Sequence, residues 1–376
     1  MLGRLCGEAR GIMNPFTVIM VAFAMLGVID RIIGNKFGLG VEFERGFHIL
    51  GPTVLSMVGM IVLAPWLADV MQPVFAFMQS SLGMDPSILP AALFANDMGG
   101  ASLCEAVAAD PQIGKLNGLV VSAMMGCTVS FTIPYALEVV NKEQHRELLI
   151  GLLCGVMTVP FGCFAAGLML NIALPALLMN LAPLIVFASL IAVGLLRCPD
   201  VCVKIFNIFG VTIRILITIG LALSILDYAL GIKLLPGLAS FDEGMDICVS
   251  ACVMLAGTFP LMHVVSRLLR RHMRRLGRKV GITEVSAIGL LGQLATCRTS
   301  FEMIKHMDKK GVVFNAAFSV SGAFLIGGHL AFTMAIDPTL VEEMIVGKLI
   351  SGALALLVAE IVFKRIYSRE KAEYSA

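Results

Sequence analysis

One carboxylate stands apart in this chain. Asp97 lies in Leu93-Phe94-Ala95-Asn96-Asp97-Met98-Gly99-Gly100-Ala101-Ser102, inside a long apolar segment. A charged side chain in hydrocarbon costs several kcal/mol unless it faces partners or water, so it marks a functional site by default. The paired glycines weaken a helix by roughly 1 kcal/mol each, so the chain is expected to break there. Broken backbone at membrane depth survives only inside protein or along a wet cavity. Such a carboxylate can balance an ammonium, with the Asn96 amide and freed carbonyls as further acceptors. The plainer alternative is a glycine-bearing helix in which Asp97 has a structural partner.

A second constellation reads Gln293-Leu294-Ala295-Thr296-Cys297-Arg298. Gln293 and Thr296 can receive a hydroxyl, and equally can bond helix to helix. Gly327-Gly328-His329 interrupts a later apolar run, and His329 reads as a proton relay, a ligand contact or a satisfied interior histidine. The candidate substrate-binding set is therefore Asn96, Asp97, Met98, Gly99, Gly100, Gln293, Thr296, Cys297 and His329. Asp30 and Asp227 occupy similar places at span ends, where solvation of a helix end is the expected role. Arg298 is read as a guard of the entry or a snorkelling side chain. Glu105 and Glu302 are expected to be paired or wetted.

The elements that must carry these residues are membrane helices. The 376 residues are 58% hydrophobic and only 14% charged, with a mean hydropathy of +0.91. A soluble domain is about 45–50% apolar and about 25% charged. Long apolar runs exclude a β-barrel, whose strands alternate over about 10 residues. The first apolar stretch follows Pro15 and reads as a span, not a cleaved signal. The fold class is thus an all-α polytopic membrane protein. Runs of about 20 apolar residues predict spans at 15–33, 47–79, 115–138, 147–171, 176–197, 203–230, 245–270, 312–336 and 342–366. That makes about nine full transmembrane helices. The interrupted segments 88–109 and 284–305 read as re-entrant hairpins. Pro52, Pro65 and Pro73 should kink or divide the second span.

The chain also repeats itself. Val28–Lys36 matches Ile225–Lys233, Phe43-Glu44-Arg45-Gly46 resembles Phe241-Asp242-Glu243-Gly244, and Glu147–Gly151 resembles Glu343–Gly347, all in nearly one register. The domains follow: a first repeat 15–171 with hairpin 88–109, a connecting helix 176–197, and a second repeat 203–366 with hairpin 284–305. The block Arg267–Lys279 belongs inside by the positive-inside rule. With both hairpins re-entrant, Lys305, Lys309, Lys310, Lys364, Arg197, Lys204, Lys142, Arg146, Lys36 and Arg45 fall inside too. Only Arg4, Arg10, Lys115 and Lys233 fall outside. Five full spans between equivalent points make the repeats inverted, with the hairpin tips meeting near the midplane.

Ten cysteines form no C-x-x-C pair and read as small buried hydrophobes. No metal site or cofactor is expected. H-E-x-x-H, G-x-S-x-G and P-loop patterns are missing, so the chain is not read as an enzyme or a nucleotide-driven pump. The basic block needs no nucleic acid to explain it.

Phe43-Glu44-Arg45-Gly46-Phe47, Ser56-Met57-Val58-Gly59-Met60, Leu63-Ala64-Pro65, Asp97-Met98-Gly99-Gly100, Lys305-His306-Met307-Asp308 and Val346-Gly347-Lys348-Leu349-Ile350 together resemble the EutH ethanolamine transporter family. The resemblance runs from about residue 16 to 366. It implies a multi-pass carrier in a bacterial inner membrane, delivering ethanolamine to its catabolism. The chain departs from the family pattern in two places. It reads Ala295-Thr296-Cys297-Arg298-Thr299 where the family has Ala-Asn-Asn-x-Pro, and Gly327-Gly328-His329 where the family has Gly-Asp-His. Partners are read as ethanolamine or a related small amine, and membrane lipid; a homo-oligomer stays open. The competing functions are an ion- or proton-coupled carrier of another small polar solute, and a non-transporting membrane sensor or scaffold.

Overall fold

A computed structural model describes residues 14–373, and every regular element among them is helical. Arg4 and Arg10, expected on the outer face, lie outside the described residues. Helix α1 (Pro15–Ile32) starts where the Asn14 side chain accepts a hydrogen bond from Phe16 N–H and Pro15 fixes the first turn. After α2 (Leu39–His48), α3 (Leu50–Val70) carries Pro65 and stops at Met71, and α4 (Gln72–Leu82) restarts with Pro73 in its first turn. The second span is therefore divided, as its prolines predict.

Short helices α5 (Ile88–Leu93) and α6 (Gly100–Val107) flank a tight turn at Asn96–Met98. Next comes the continuous stretch α7 (Pro111–Val139), almost wholly enclosed by protein: 94% of its apolar window is buried. It is the central post of the molecule. Within it, Asn117–Gly126 and Thr128–Thr132 are π-helical, a widened winding that occurs mostly at functional sites. Helices α8 (Lys142–Met169), α9 (Leu174–Arg197) and α10 (Pro199–Leu230) follow. Rows of exposed apolar residues on α9 and α10, such as Leu178, Ile185, Ile205 and Ile208, form the lipid-facing wall.

Helix α11 (Phe241–Val280) is capped by Ser240 and ended by Gly281 at a φ of +78°. Its 40 residues span about 60 Å, twice the hydrocarbon thickness of about 30 Å. Its arginine-rich end therefore projects into water. A second broken pair, α12 (Glu284–Gln293) and α13 (Cys297–Met303), precedes α14 (Lys309–Ser321), α15 (Gly328–Ile336) and α16 (Val341–Glu373).

Eight helices among the described residues are long and apolar enough to cross a membrane. The expected span 312–336 is not one of them. It is divided into α14 and α15, separated by 322–327, because Gly327-Gly328 ends one helix and starts another. The expectation for Asp30 is corrected. Its carboxylate is only 2% exposed and accepts from Phe37 N–H and Gly40 N–H, both at 2.9 Å. Asp30 is a buried tie that folds the loop back onto α1, not a solvated helix end.

Candidate functional site

Each broken pair is closed by one carboxylate. Asp85 accepts from Ser87 N–H and Ser87 Oγ at one end of the first pair. At the other end it accepts from Ala109 N–H at 3.0 Å and Asp110 N–H at 2.9 Å. Asp308 does the same for the second pair, accepting from Thr283 N–H, Thr283 Oγ, Ser286 Oγ and Gly311 N–H. The two ends of each segment thus lie side by side, and its tip reaches inward.

The tips have different chemistry. At the first, Gly99 has a φ of +83° and a Cβ would strike the Met60 side chain, so only glycine fits. Ser122 of α7 donates to Phe94 O, anchoring the break. Asn96 is buried; its Oδ1 accepts from Asp97 N–H at 3.0 Å and its Nδ2 has no partner. Asp97 itself is half-buried. Met98 packs among Met60, Ile213 and Ile217, so its thioether belongs to an apolar wall.

The second tip is bound to the break between α14 and α15. Phe324 N–H donates to Gln293 O and Ile326 N–H to Leu294 O, both at 2.8 Å. Gln293 is fully buried, and its Nε2 donates to Ser300 Oγ, Asn315 O and Asn315 Oδ1 at 2.9–3.0 Å. Thr296 caps α13 by accepting from Arg298 N–H, and Cys297 is buried in the main apolar cluster. The Gln293 amide nitrogen and the Thr296 hydroxyl thus help to hold the tip together, while Gln293 Oε1 is buried with no partner. For Thr296 the expected hydroxyl contact competes with its capping bond, whereas Gln293 keeps a free acceptor, Oε1.

Gly327 and Gly328 lie between the tips. A Cβ on Gly327 would meet Ala295 O of the second tip at 2.1 Å, and one on Gly328 would stand 3.6 Å from Asp97 Oδ2 of the first. Consecutive residues thus touch both tips. The Asp97 carboxylate also faces the start of α15, where free N–H groups and the helix dipole favour an anion.

His329 follows and is 1% exposed. Its Nδ1 lies 3.1 Å from Nζ of Lys348, which also donates to Ala123 O at 2.9 Å in the π-helical part of α7. His329 Nε2 and Thr333 Oγ, one turn apart on α15, have no partner. A ladder of rings leads outward from His329. Phe324 lies 4.9 Å from it, Phe131 lies 6.0 Å from Phe324, and the exposed Arg298 guanidinium covers Phe131 at 5.1 Å and Tyr135 at 5.8 Å. Glu302 is exposed and accepts from Tyr135 OH at 3.2 Å. Lys348 was not among the residues that sequence reasoning chose for the site, though a lone cation in an apolar helix is the same signal that marks Asp97.

Cavities approach from two directions. One of about 630 Å³ runs from Arg267 and Arg270 on α11, past Arg45 and His263, to Gly292 and Ala295 at the second tip. Another of about 410 Å³ runs from the Lys115–Asp337 ion pair (2.6 Å) past the exposed Glu105 to Ala101 and Gly118, beside the first pair. Polar helix breaks, a carboxylate and a buried lysine between two vestibules, in a bundle of membrane helices, are the anatomy of a carrier.

The family model described as "Ethanolamine utilisation protein, EutH" matches residues 12–362. The chain belongs to the EutH family. Among its relatives is a "Probable ethanolamine permease EutH" of Listeria monocytogenes, 40% identical over 94% of this chain and 95% of that protein. Another protein of that description, from Salmonella typhimurium, is 35% identical over 93% and 95%. An uncharacterized Bacillus subtilis protein, YxeR, is 35% identical over 91% and 92%. No solved structure matches.

Proposed function

We propose that this chain is an ethanolamine carrier of a bacterial inner membrane and binds its substrate as the protonated amine at Asp97. One observation carries the reading. The one carboxylate at either helix break faces the open space at Gly328, between two vestibules. The printed names of the EutH relatives give the substrate class. Asp97 supplies the counter-charge, and the unpartnered polar atoms of Asn96, His329 and Thr333 cluster on the elements that meet at the first tip. They offer donors and acceptors to a hydroxyl-bearing cation. The site holds no catalytic constellation, and the work is translocation, not bond-making. A sensor or scaffold would have no use for a charged site between two vestibules.

The same reading takes α5–α6 and α12–α13 as re-entrant hairpins in inverted repeats 15–171 and 203–366, with α9 connecting them. The Asp85 and Asp308 ties support it, because each brings the two ends of its segment to one place. The element order, which runs twice, supports it as well.

Labelled ethanolamine uptake into proteoliposomes, compared with protein-free vesicles, tests the function. Protein-dependent uptake that unlabelled ethanolamine suppresses is expected. Uptake equal to that of empty vesicles would sink the proposal.

A further inference from the structure

We propose that Lys348 is an internal counter-cation that surrenders its proton when the substrate ammonium binds, so that the carrier exchanges one substrate cation for one proton. This deepens the ethanolamine reading and rests on it.

Lys348 is 0% exposed and sits seven residues into α16, about 10 Å along the helix. Its hydrogen-bond partners are neutral, Ala123 O and His329 Nδ1. Among the described residues no carboxylate lies within ion-pairing distance of Nζ. A buried ammonium held by neutral acceptors alone costs several kcal/mol, and lysine is the cation that can shed its charge in response. What compensates it is Asp97, whose Oδ2 faces Gly328, the residue next to the His329 that holds Nζ at 3.1 Å. The empty carrier is therefore balanced, one negative and one positive group.

Binding of an ammonium to Asp97 upsets that balance. Two cations then share one carboxylate in a low-dielectric site, which favours loss of one proton. The substrate's ammonium gains the ion pair, so Lys348 is the group that yields. Its proton passes along the existing bond to Nδ1 of a neutral imidazole protonated at Nε2, and the Nε2 proton leaves to the bath that the site faces. Lys348 is left as a neutral amine whose lone pair accepts from the new Nδ1–H of His329, and the same bond run in reverse restores its proton. No bond to the substrate forms, and the net charge of the loaded site equals that of the empty one. Returning empty, Lys348 takes up a proton from the opposite side.

The groups around Lys348 are consistent with this. Asp97 on the first tip, Cys127 on α7, Cys163 on α8, Cys297 at the second tip and His329 on α15 share its electrostatic neighbourhood. Arg298 is the other cation near Asp97 and lies over the Phe131 and Tyr135 rings. Most other charges on the packed elements are engaged elsewhere. Lys310 of α14 pairs with Glu360, and Glu147 of α8 is bound by Tyr367 and Lys309. Asp337 pairs with Lys115. Cys154 packs against Ala355 and Ala359. Glu342 and Glu343 stand on the first turn of α16, and Glu343, one of whose carboxylate oxygens is buried without a partner, forms no ion pair with Lys348 five residues on.

Calorimetric titration of the purified carrier with ethanolamine, in buffers of different ionisation enthalpy, reads the proton directly. Wild type is expected to release about one proton per ethanolammonium bound. Lys348→Met should bind without release. Lys348→Arg, which keeps a fixed charge, should release none and bind at least about tenfold more weakly. In proteoliposomes, wild-type uptake should not respond to membrane potential. Uptake by Lys348→Met should become electrogenic, with accumulation rising about tenfold per 60 mV, inside negative. Wild-type binding without proton release, or release that persists in either variant, overturns the exchange. If Lys348→Met does not fold, the arginine variant and the wild-type potential response decide alone. A wild type that neither binds nor transports ethanolamine defeats the substrate assignment and the exchange with it.

Discussion

Gly328 leaves the Asp97 carboxylate uncovered: a Cβ there would stand 3.6 Å from Oδ2, ordinary contact distance, while one on the preceding Gly327 would be driven into Ala295 O at 2.1 Å. The two adjacent glycines thus do different work, the first giving room for a backbone contact and the second leaving the carboxylate open. Gly327→Ala must push the second tip away from the α14–α15 break, an overpacking cost of about 1–3 kcal/mol. Gly328→Ala fits, and its methyl only narrows the space before Asp97. We expect the first to lower the thermal midpoint together with transport. The second should keep the wild-type midpoint and weaken ethanolamine binding about five- to tenfold. Equal effects of the two on stability would refute the assignment.

Asp97→Asn removes the counter-charge for the substrate. Breaking a buried ion pair costs about 3–5 kcal/mol, so binding should weaken by a factor of about 10²–10³ in protein that folds normally. Asp30→Asn is the contrasting variant. One oxygen of its carboxylate serves Phe37 N–H and the other Gly40 N–H, and an amide can replace only one of them. Its loss should appear in stability, at about 1–3 kcal/mol, with affinity unchanged in the folded fraction. Unaltered ethanolamine affinity in Asp97→Asn would make that residue structural.

The sequence declared its breaks because breaking chemistry is local. Gly99-Gly100, Pro73 and Gly327-Gly328 disrupt a helix wherever they occur, and the structure interrupts the chain at each. The fate of a polar group depends on what arrives from elsewhere, and that is not local. Half of Gln293 was taken when Ser300 and Asn315 came to meet its amide nitrogen, and only its Oε1 was left without a partner. Asp30 looked solvated until the chain at 37–40 turned back over it. Lys348 is the instructive omission. It belonged to a family landmark, yet a lysine between Gly347 and Leu349 deserved the same question as Asp97. Asn117 and Asn315 carried another readable signal. They fall in matching places of the proposed repeats, and each ties α7 or α14 to neighbouring polar groups, Ser87 and Asn180 in one case and Ser286 O and Gly311 O in the other.

The proposed topology has a direct test. If both broken pairs are re-entrant, residues 80–87 and 110–114 share the outer face, while 272–283 and 306–311 share the cytoplasmic face. Single cysteines at these places, in a background free of reactive thiols, should label with an impermeant reagent from one side for each pair. Opposite-side labelling of 80–87 and 110–114 would make the first segment a full span and end the inverted-repeat reading.

The tie at the second hairpin should respond to acid. Burial alone would raise the Asp308 pKa. The hydrogen bonds from Thr283 N–H, the Ser286 and Thr283 hydroxyls and Gly311 N–H outweigh it and hold the group below the usual aspartate value. A carboxylate depressed in the folded state stabilises the fold fully above its unfolded pKa, and that stabilisation is lost as pH falls through the lower, folded value. The thermal midpoint of wild type in detergent should therefore fall on acidification below about pH 4, the unfolded aspartate range. Asp308→Asn should start lower and lose less over the same interval. Because Thr283 N–H and Oγ lie at one end of the hairpin and Gly311 N–H beyond the other, the variant should also exchange backbone amide hydrogens faster at both 283–286 and 308–311. Faster exchange at only one of these ends would show that Asp308 caps a single helix and does not join the two.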